Sequence, residues 1–204
     1  MPRPRQFDED AVLTAAADCF WGRGFEATST RDLASAMALT PASLYNAFGD
    51  KRALFLRALD HYLQRTLHDR VRRLEAVGHP GLGITLFLAE IVDRSSGDPQ
   101  QRGCMLVNTA LEAGSGDPGI QAVVADEIGV IEGFFRGRMA LGRETGDIPP
   151  GPPVDEAGAL LLSVLLGVRV LARLGPGRAR LAAPVHAVLA LLGLPPLPEG
   201  SVAA

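Results

Sequence analysis

The stretch of sequence that decides the fold is residues 28–51, TSTRDLASAMALTPASLYNAFGDK. It predicts two short helices joined by a tight turn, because Thr28 or Ser29 can cap the first helix and Thr40 the second. Pro41 then takes the first position of the second helix, where its missing N–H costs nothing. Two helices in this arrangement are typical of a helix-turn-helix, which places its second helix in the major groove of DNA.

The second helix presents a polar outer face without a charged side chain. Thr40, Tyr45 and Lys51 are suited to phosphate oxygens, since they offer a hydroxyl at a helix N-terminus, a phenol and the only lysine of the chain. Ser43 and Asn46 can reach base edges, and asparagine pairs well with adenine. The alternative is that Tyr45 and Asn46 only solvate a surface helix, because the same motif also occurs in proteins that do not bind DNA.

Four segments follow one another in a characteristic order: Phe20 to Ser29, Arg31 to Ala34, Leu44 to Lys51, and Leu54-Phe55. Together they resemble the DNA-binding domain of the tetracycline-repressor (TetR) family of bacterial transcriptional regulators. The resemblance implies an N-terminal three-helix DNA-binding domain and a larger helical C-terminal domain that binds a small effector and dimerises. It also implies DNA contacts at the starts of the second and third helices, at Tyr45 and at Lys51.

The sequence departs from the family pattern in two places. Ala38 occupies a turn position where glycine is common, and Asn46-Ala47 replaces a pair that is often rich in histidine. The predicted DNA-binding residues are Arg3, Arg5, Thr28, Ser29, Thr30, Arg31, Thr40, Pro41, Ala42, Ser43, Tyr45, Asn46 and Lys51.

Charge is distributed unevenly along the 204 residues, whose net charge is −3. Residues 1–75 carry +1 and residues 76–204 carry −4, so any positive potential is local to the first part of the chain. Arg3 and Arg5, alternating with prolines, predict a basic arm along a phosphate backbone or in the minor groove; a disordered start that only aids solubility is the alternative. The acidic residues that follow do not suit a secretory signal, and we expect a cytoplasmic protein.

Hydrophobic periodicity predicts an all-α chain of about nine helices. Residues 1–50 form the helix-turn-helix domain in this interpretation, and residues 51–204 form the effector-binding and dimerisation domain. After the first three helices, we expect one long helix from residue 52 to about 76 and further helices over about 82–94, 101–113, 118–143, 155–174 and 178–193.

The last two predicted helices suit a subunit interface. Residues 160–172 are apolar almost all round but fall short of the ~20 residues that span a bilayer, so no membrane partner is expected. Two such helices from each subunit predict a four-helix homodimer interface. Pro184 either kinks the last helix or marks its start, and Pro195 to Pro198 are predicted to begin a frayed tail.

The most distinctive segment of the second domain is residues 102–112. Asn108 needs hydrogen-bond partners if it is buried, and either a ligand or a backbone carbonyl could supply them. Arg169 is a candidate anion contact; the alternative is an exposed residue beside Arg173. The candidate effector-binding residues, of which the apolar ones equally suit an ordinary core, are Cys104, Met105, Asn108, Leu111, Phe134, Phe135, Met139 and Arg169.

The two cysteines, Cys19 and Cys104, do not form a disulfide framework. Cys104 lies near a predicted helix start and close to Arg102, conditions that can lower a thiol pKa. It is therefore either an electrophile or oxidant sensor or an inert, buried thiol. The four histidines form no ligand cluster with the cysteines, so neither a metal nor a cofactor is predicted.

Three classes of function follow from these patterns. The first is a dimeric transcriptional regulator, usually a repressor, that binds a palindromic double-stranded DNA operator and is released by a small-molecule effector. A thiol-sensing repressor using Cys104 is a variant of it. The second is a helical small-molecule-binding protein without DNA affinity. The third, an enzyme, is not predicted, because the sequence carries no catalytic carboxylate pair, nucleophile elbow, phosphate loop or metal motif.

Overall fold

The computed structural model describes residues 8–112 and 116–198, and every regular element in them is helical. A five-residue π-helix, Gln64–His68, joins α4 to α5, so residues 51–75 form one continuous rod and the described residues hold nine separate rods. The all-α architecture and the approximate number of helices are confirmed. The α-helices are α1 (Glu9–Arg23), α2 (Thr30–Ala36), α3 (Pro41–Phe48), α4 (Lys51–Leu63), α5 (Asp69–Glu75), α6 (Pro80–Ser96), α7 (Met105–Glu112), α8 (Pro118–Thr145), α9 (Val154–Ala172) and α10 (Arg178–Leu191).

The first three helices enclose one small apolar core, to which each contributes fully buried side chains. Phe20 from α1, Leu33 from α2 and Leu44 from α3 are buried there. Helix α4 packs along α1, and the Phe55 ring meets the Phe20 ring nearly at right angles with centroids 5.0 Å apart. The start of α4 therefore shares the core of the first three helices, and the boundary at residue 50 stays a prediction.

The larger C-terminal part is built on α8 and α9, which lie along each other, with α6 in contact with α8, α9 and α10. Its centre is an aromatic cluster of Phe87, Phe134 and Phe135, whose ring centroids lie 5.0–5.7 Å apart. Aromatic contacts of this kind contribute about 0.5–1.5 kcal/mol beyond the area that they bury. This cluster fixes α6 relative to α8.

Two helical predictions need correction. The helix expected from residue 101 begins at Met105, because Gln101 and Gly103 have φ angles of 53° and 72° and keep the preceding residues out of the helix. Residues 51–75 do form the expected long rod, but with a π-helical segment at its centre. Pro184 lies inside α10 rather than at its start.

The predicted frayed tail is wrong for residues 195–198. Leu197 is buried, and the Thr85 hydroxyl donates to the carbonyl oxygen of Pro195 over 2.7 Å. Burial of an apolar side chain and a hydrogen bond to α6 hold this segment, neither of which is visible in a proline-rich sequence.

Candidate nucleic-acid interface and ligand cavity

Helix α3 is anchored by its inner face and exposes its outer face. Leu44 and Phe48 are buried, as the predicted spacing requires. Thr40 caps the helix, since its Oγ1 accepts from the Ser43 N–H at 3.1 Å and donates to Ser43 Oγ at 3.0 Å. Tyr45 is 49% exposed. The outer residues that the structure exposes together, as predicted, are Thr40, Pro41, Ala42, Ser43, Tyr45 and Asn46.

Helix α2 begins with a capping box. Ser29 Oγ accepts from the Asp32 N–H, and the Asp32 carboxylate accepts from the Ser29 N–H at 3.0 Å. Hydrogen bonds from Ser29 and the Arg23 guanidinium lower the pKa of Asp32 to about 2. The Asp32 carboxylate of the capping box therefore stays ionised at neutral pH. Ser29 and Arg31 are exposed and Thr30 is half-buried, beside the exposed face of α3.

Thr28 does not belong to the candidate DNA contacts, and its prediction is corrected. Its side chain is only 1% exposed, and its hydroxyl donates to the carbonyl oxygen of Gly24 over 2.6 Å. Thr28 therefore braces the loop between α1 and α2. Arg3 and Arg5 lie outside the described residues.

Lys51 folds back onto the loop between α1 and α2. Its Nζ donates to the carbonyl oxygens of Thr28 at 3.0 Å and Glu26 at 3.4 Å, and lies 4.5 Å from the centre of the Phe25 ring. An ammonium has three N–H donors, so one remains for a phosphate oxygen. Lys51 thus ties the start of α4 to the start of α2 in addition to its predicted role.

The helix-turn-helix turn keeps its geometry without glycine. Ala38 has a φ angle of 51°, in the left-handed region, and the Leu39 N–H bonds the carbonyl oxygen of Ala34 at 2.9 Å to close the turn. An alanine in this conformation costs about 1 kcal/mol. The departure from the family pattern therefore changes the energy of the turn and not its shape.

The predicted effector-binding residues divide into three groups. Met105, Phe134, Phe135 and Met139 are buried in the core and do not line the cavity described below, so their part in a ligand site stays a prediction. Leu111 is 67% exposed and shares no site with Cys104, because α7 turns it to the surface. The third group consists of the polar residues and Cys104.

Asn108 has the backbone partner that was the alternative to a ligand. It is buried, and its Nδ2 donates to the carbonyl oxygen of Arg102 over 2.8 Å. This bond fixes the irregular segment before α7. Its assignment as an effector contact is therefore corrected to a structural role.

Cys104 and Arg169 do meet, at a small cavity of about 30 Å³ enclosed by the rod of residues 51–75 and by α6 to α9. Arg169 is only 6% exposed, so the alternative of an exposed arginine is wrong. Cys104 is half-buried, and the Tyr62 hydroxyl lies 3.9 Å from its Sγ. Thiol sensing by Cys104 stays a prediction. The lining residues are Tyr62, Leu63, Thr66, Leu67, Arg70, Phe87, Ile91, Cys104, Leu106, Val107, Ile131, Leu165 and Arg169.

Sequence reasoning missed Arg70, although a signal was present. It lies at helical spacing from Leu63, Leu67 and Leu74, which are all buried. An arginine within such a stripe must be buried with them. Burial lowers the pKa of Arg70, the hydrogen bond to Glu90 opposes this effect, and the positive charge of Arg169 lowers the pKa further.

Tyr62 is the second lining residue that the sequence did not suggest. Its side chain is buried and its ring meets the Trp21 ring with centroids 5.2 Å apart. Burial is the main cause that raises the pKa of Tyr62, with the neighbouring Cys104 thiol as the next cause. The phenol therefore stays neutral and can donate a hydrogen bond into the cavity.

Polar contacts join the C-terminal part to α1, α4 and the loop between α1 and α2. Arg102 lies 3.9 Å from the centre of the Trp21 ring and 3.1 Å from the Asp18 carboxylate. Beyond the end of α7, Asp117 pairs with Arg52 at the start of α4. Glu112, the last residue of α7, accepts the Phe25 N–H at 2.9 Å. Helix α7 thus contacts the cavity at one end and, at the other, the loop between α1 and α2 that contains Phe25 (the Phe25 loop).

Within the part of the chain that the structure describes, no three or more His, Cys, Asp or Glu side chains are grouped so as to hold a metal ion. In that same part, no helix combines the length and apolarity that a bilayer span needs. Both cysteines are free.

A helix-turn-helix with an exposed recognition face, followed by a helical domain with an internal cavity, defines a DNA-binding regulator of the ligand-responsive class. Residues 12–58 match the family model described as bacterial regulatory proteins, tetR family, and residues 84–200 match the tetracyclin repressor-like C-terminal domain. The chain belongs to the TetR family of bacterial regulatory proteins.

Individual relatives support the same family assignment. The chain is 29% identical to the HTH-type transcriptional repressor ComR of Escherichia coli (strain K12), over 85% of this chain and 83% of ComR. It is 30% identical to the HTH-type transcriptional regulator YezE of Bacillus subtilis (strain 168), over 72% and 76% of the two chains. A solved structure of a cysteine mutant of the TetR family regulator CifR, complexed with 26-bp operator DNA, is 37% identical with a TM-score of 0.81, and the match covers 95% of this chain and 100% of that one.

Proposed function

We propose that this protein is a dimeric cytoplasmic repressor that binds a palindromic DNA operator through α2 and α3 and releases it when a small molecule enters the C-terminal domain. The observation that carries the proposal is the exposed polar face of α3, with Ser43, Tyr45 and Asn46 above a fully buried inner face. Exposed Arg31 and the remaining donor of Lys51 supply positive charge at the borders of that face. Bases are then read by uncharged groups, and phosphates are held at the edges.

The relatives support a repressor that acts on an operator. ComR is a repressor by name, and the CifR mutant was solved with double-strand operator DNA. The chain covers most of the length of both, so the likeness extends through the effector domain and not only through the helix-turn-helix.

The homodimer is supported by the outer surfaces of α9 and α10. Beyond the acidic first turn of α9, which exposes Asp155 and Glu156, the exposed residues are small or apolar and recur at helical spacing: Ala159, Ser163, Gly167 and Val170. Leu174 is 71% exposed and Leu191 70% exposed. Small side chains allow helices of two subunits to approach closely, and exposed leucines at the rim favour a covering partner.

The proposed release mechanism runs through α7 and α4. A molecule in the cavity displaces groups on α7 and on the rod that begins at Lys51, and both elements contact the Phe25 loop. The α3 helices of the two subunits then no longer match half-sites ~34 Å apart. The coupling is a difference in DNA affinity between the free and the loaded state.

The decisive experiment compares Tyr45→Ala with Tyr45→Phe in gel-shift titrations on the DNA that flanks the coding region. We expect Tyr45→Ala to abolish binding without changing the dimer mass, because the side chain is exposed and supports no core. Tyr45→Phe keeps the ring and loses only the hydroxyl, so it should retain partial affinity if the phenol binds phosphate.

The wild type should bind with a steep salt dependence, since release of counterions drives association. Unchanged affinity of Tyr45→Ala would show that α3 is not the recognition helix. Absence of salt-dependent binding to any flanking DNA would favour a small-molecule-binding protein without DNA affinity.

A further inference from the structure

Arg169 lines the cavity and is buried with an incomplete set of partners. Its Nη1 donates to the Ser95 hydroxyl at 3.0 Å, and its Nε, also buried, has no hydrogen-bond partner among the residues that the structure describes. Serine is neutral, so this bond does not balance the charge of the guanidinium. A buried arginine normally has a carboxylate partner, because an unpaired buried charge costs several kcal/mol.

The two carboxylates of α6 are already occupied by other arginines, and Glu127 on α8 pairs with His68 at 3.0 Å. Glu90 accepts from Arg70 Nε at 2.9 Å and from Arg73 at 2.8 Å, so one acid serves two cations. Asp93 on the same helix pairs with Arg178 at 2.8 Å. Of the two arginines that line the cavity, Arg70 shares its carboxylate with Arg73, and Arg169 has none. The site therefore carries an excess of positive charge.

The rest of the lining is apolar, apart from the neutral side chains of Tyr62, Thr66 and Cys104. Leu67, Ile91 and Leu165 belong to the lining, on three different elements. The volume of about 30 Å³ exceeds the ~10–15 Å³ that one water needs, so a small group can enter without unfolding the surrounding helices. The π-helix lies beside the cavity through Thr66, and such segments often mark functional sites because the backbone there is less regular.

From this geometry we infer that the cavity binds a small monocarboxylate with a compact apolar tail. The carboxylate is held by the charges of the Arg169 and Arg70 guanidinium groups, while the tail contacts Leu67, Ile91 and Leu165. Inorganic anions share the charge but lack the tail, and amides share the shape but lack the charge. The inference names the ligand class of the proposed effector site and rests on the proposed function only for its regulatory consequence.

The test measures thermal unfolding and the fluorescence of Trp21, the only tryptophan of the chain, which contacts Tyr62 of the cavity. The probes are sodium acetate, butanoate and hexanoate, with butanamide and sodium chloride or sulfate at equal ionic strength as controls. We expect one of the carboxylates to raise the Tm by several degrees, as ligand binding to the folded state requires, and the amide and the inorganic salts to leave it unchanged.

Arg169→Gln is expected to weaken carboxylate binding at least tenfold, whereas Arg72→Gln, at an exposed position on α5, should bind as the wild type does. If Arg169→Gln does not fold, the comparison of butanoate with butanamide on the wild type decides by itself. The inference is overturned if amide and carboxylate act equally, if sulfate or chloride acts as strongly, if Arg169→Gln binds normally, or if no carboxylate binds at about 10 mM.

Failure of this inference is distinguishable from failure of the proposed function. A carboxylate that raises the Tm of the wild type but not of Arg169→Gln supports the ligand class whether or not DNA is released. Gel-shift titrations with and without that carboxylate then test the regulatory consequence. Operator binding that is normal, together with the absence of any carboxylate effect on Tm, would reject the ligand class and retain the repressor.

Discussion

At the scale of a single residue, Lys51 combines contacts within the protein with a proposed contact to DNA. In the free protein its ammonium bonds two carbonyl oxygens of the loop between α1 and α2 and covers the Phe25 ring. On DNA, its third N–H is free for a phosphate. The same side chain therefore positions the loop before α2, and we propose that its remaining N–H also binds DNA.

We predict that Lys51→Ala weakens DNA binding for all sequences and lowers the slope of log K against log salt by about one unit. Loss of the two carbonyl bonds should also lower the free energy of unfolding by about 1 kcal/mol. Gel shifts at several salt concentrations and urea unfolding measure the two effects. Lys51→Arg is the control, since it keeps the charge; an unchanged salt slope in Lys51→Ala would exclude the phosphate contact.

Ala38 stores strain at the turn between α2 and α3. We predict that Ala38→Gly raises the free energy of unfolding by about 0.5–1 kcal/mol, because relief of the left-handed strain exceeds the extra entropy of glycine in the unfolded chain. Ala36→Gly, in the last position of α2, should be destabilising instead. Chemical denaturation of both variants tests the sign, and destabilisation by Ala38→Gly would contradict the backbone angle.

At the scale of elements, α9 and α10 leave an apolar surface uncovered in the single chain. Leu174 and Leu191 are its most exposed large side chains. A leucine that becomes fully buried contributes about 1.5–3 kcal/mol, which corresponds to at least a tenfold change in a dimer dissociation constant.

Leu174→Asp and Leu191→Asp should therefore each weaken the proposed dimer at least tenfold, and together they should give a monomer at micromolar concentration. Sedimentation equilibrium measures this change. Leu111→Asp is a matched control, because Leu111 is 67% exposed but lies on α7, away from this surface. If Leu111→Asp dissociates the dimer and the other two do not, the interface lies elsewhere.

At the scale of the whole molecule, the loop of residues 24–28 is held from both sides. Lys51 binds its carbonyl oxygens and Glu112 binds the Phe25 N–H. Gly24, at a φ angle of 85°, lies so close to Glu112 that a Cβ there would collide with the carboxylate. The end of α7 is therefore bonded directly to the loop that precedes α2, so a shift of α7 would move that loop.

We predict that Glu112→Ala frees the Phe25 amide and uncouples α7 from the helix-turn-helix. The Phe25 N–H should then exchange with solvent more than tenfold faster in hydrogen-exchange NMR, since its acceptor is lost. Operator affinity without ligand should change by less than about tenfold, because α3 and its borders are untouched. Glu132→Ala, on α8, is the control, and unchanged exchange at Phe25 in Glu112→Ala would exclude this coupling.

Local chemistry predicted much of the DNA-binding half. Capping by Ser29 and Thr40, the stop at Gly49, the cap at Asp50 and the inward Leu44 follow from signals within four residues. The ligand half was predicted less well. Met105, Phe134, Phe135 and Met139 have the composition of a pocket lining, and only three-dimensional packing distinguishes a lining residue from a core residue.

The sequence by itself determined the all-helical chain, the helix-turn-helix and the exposed polar face of α3, because caps and helical periodicity act between residues three or four apart. Only the tertiary structure decided that Arg169 is buried beside Arg70, that Lys51 binds the Thr28 carbonyl, and that residues 195–198 dock on α6. These contacts join residues far apart in the chain, and their energies depend on burial and on charge partners that no local pattern contains.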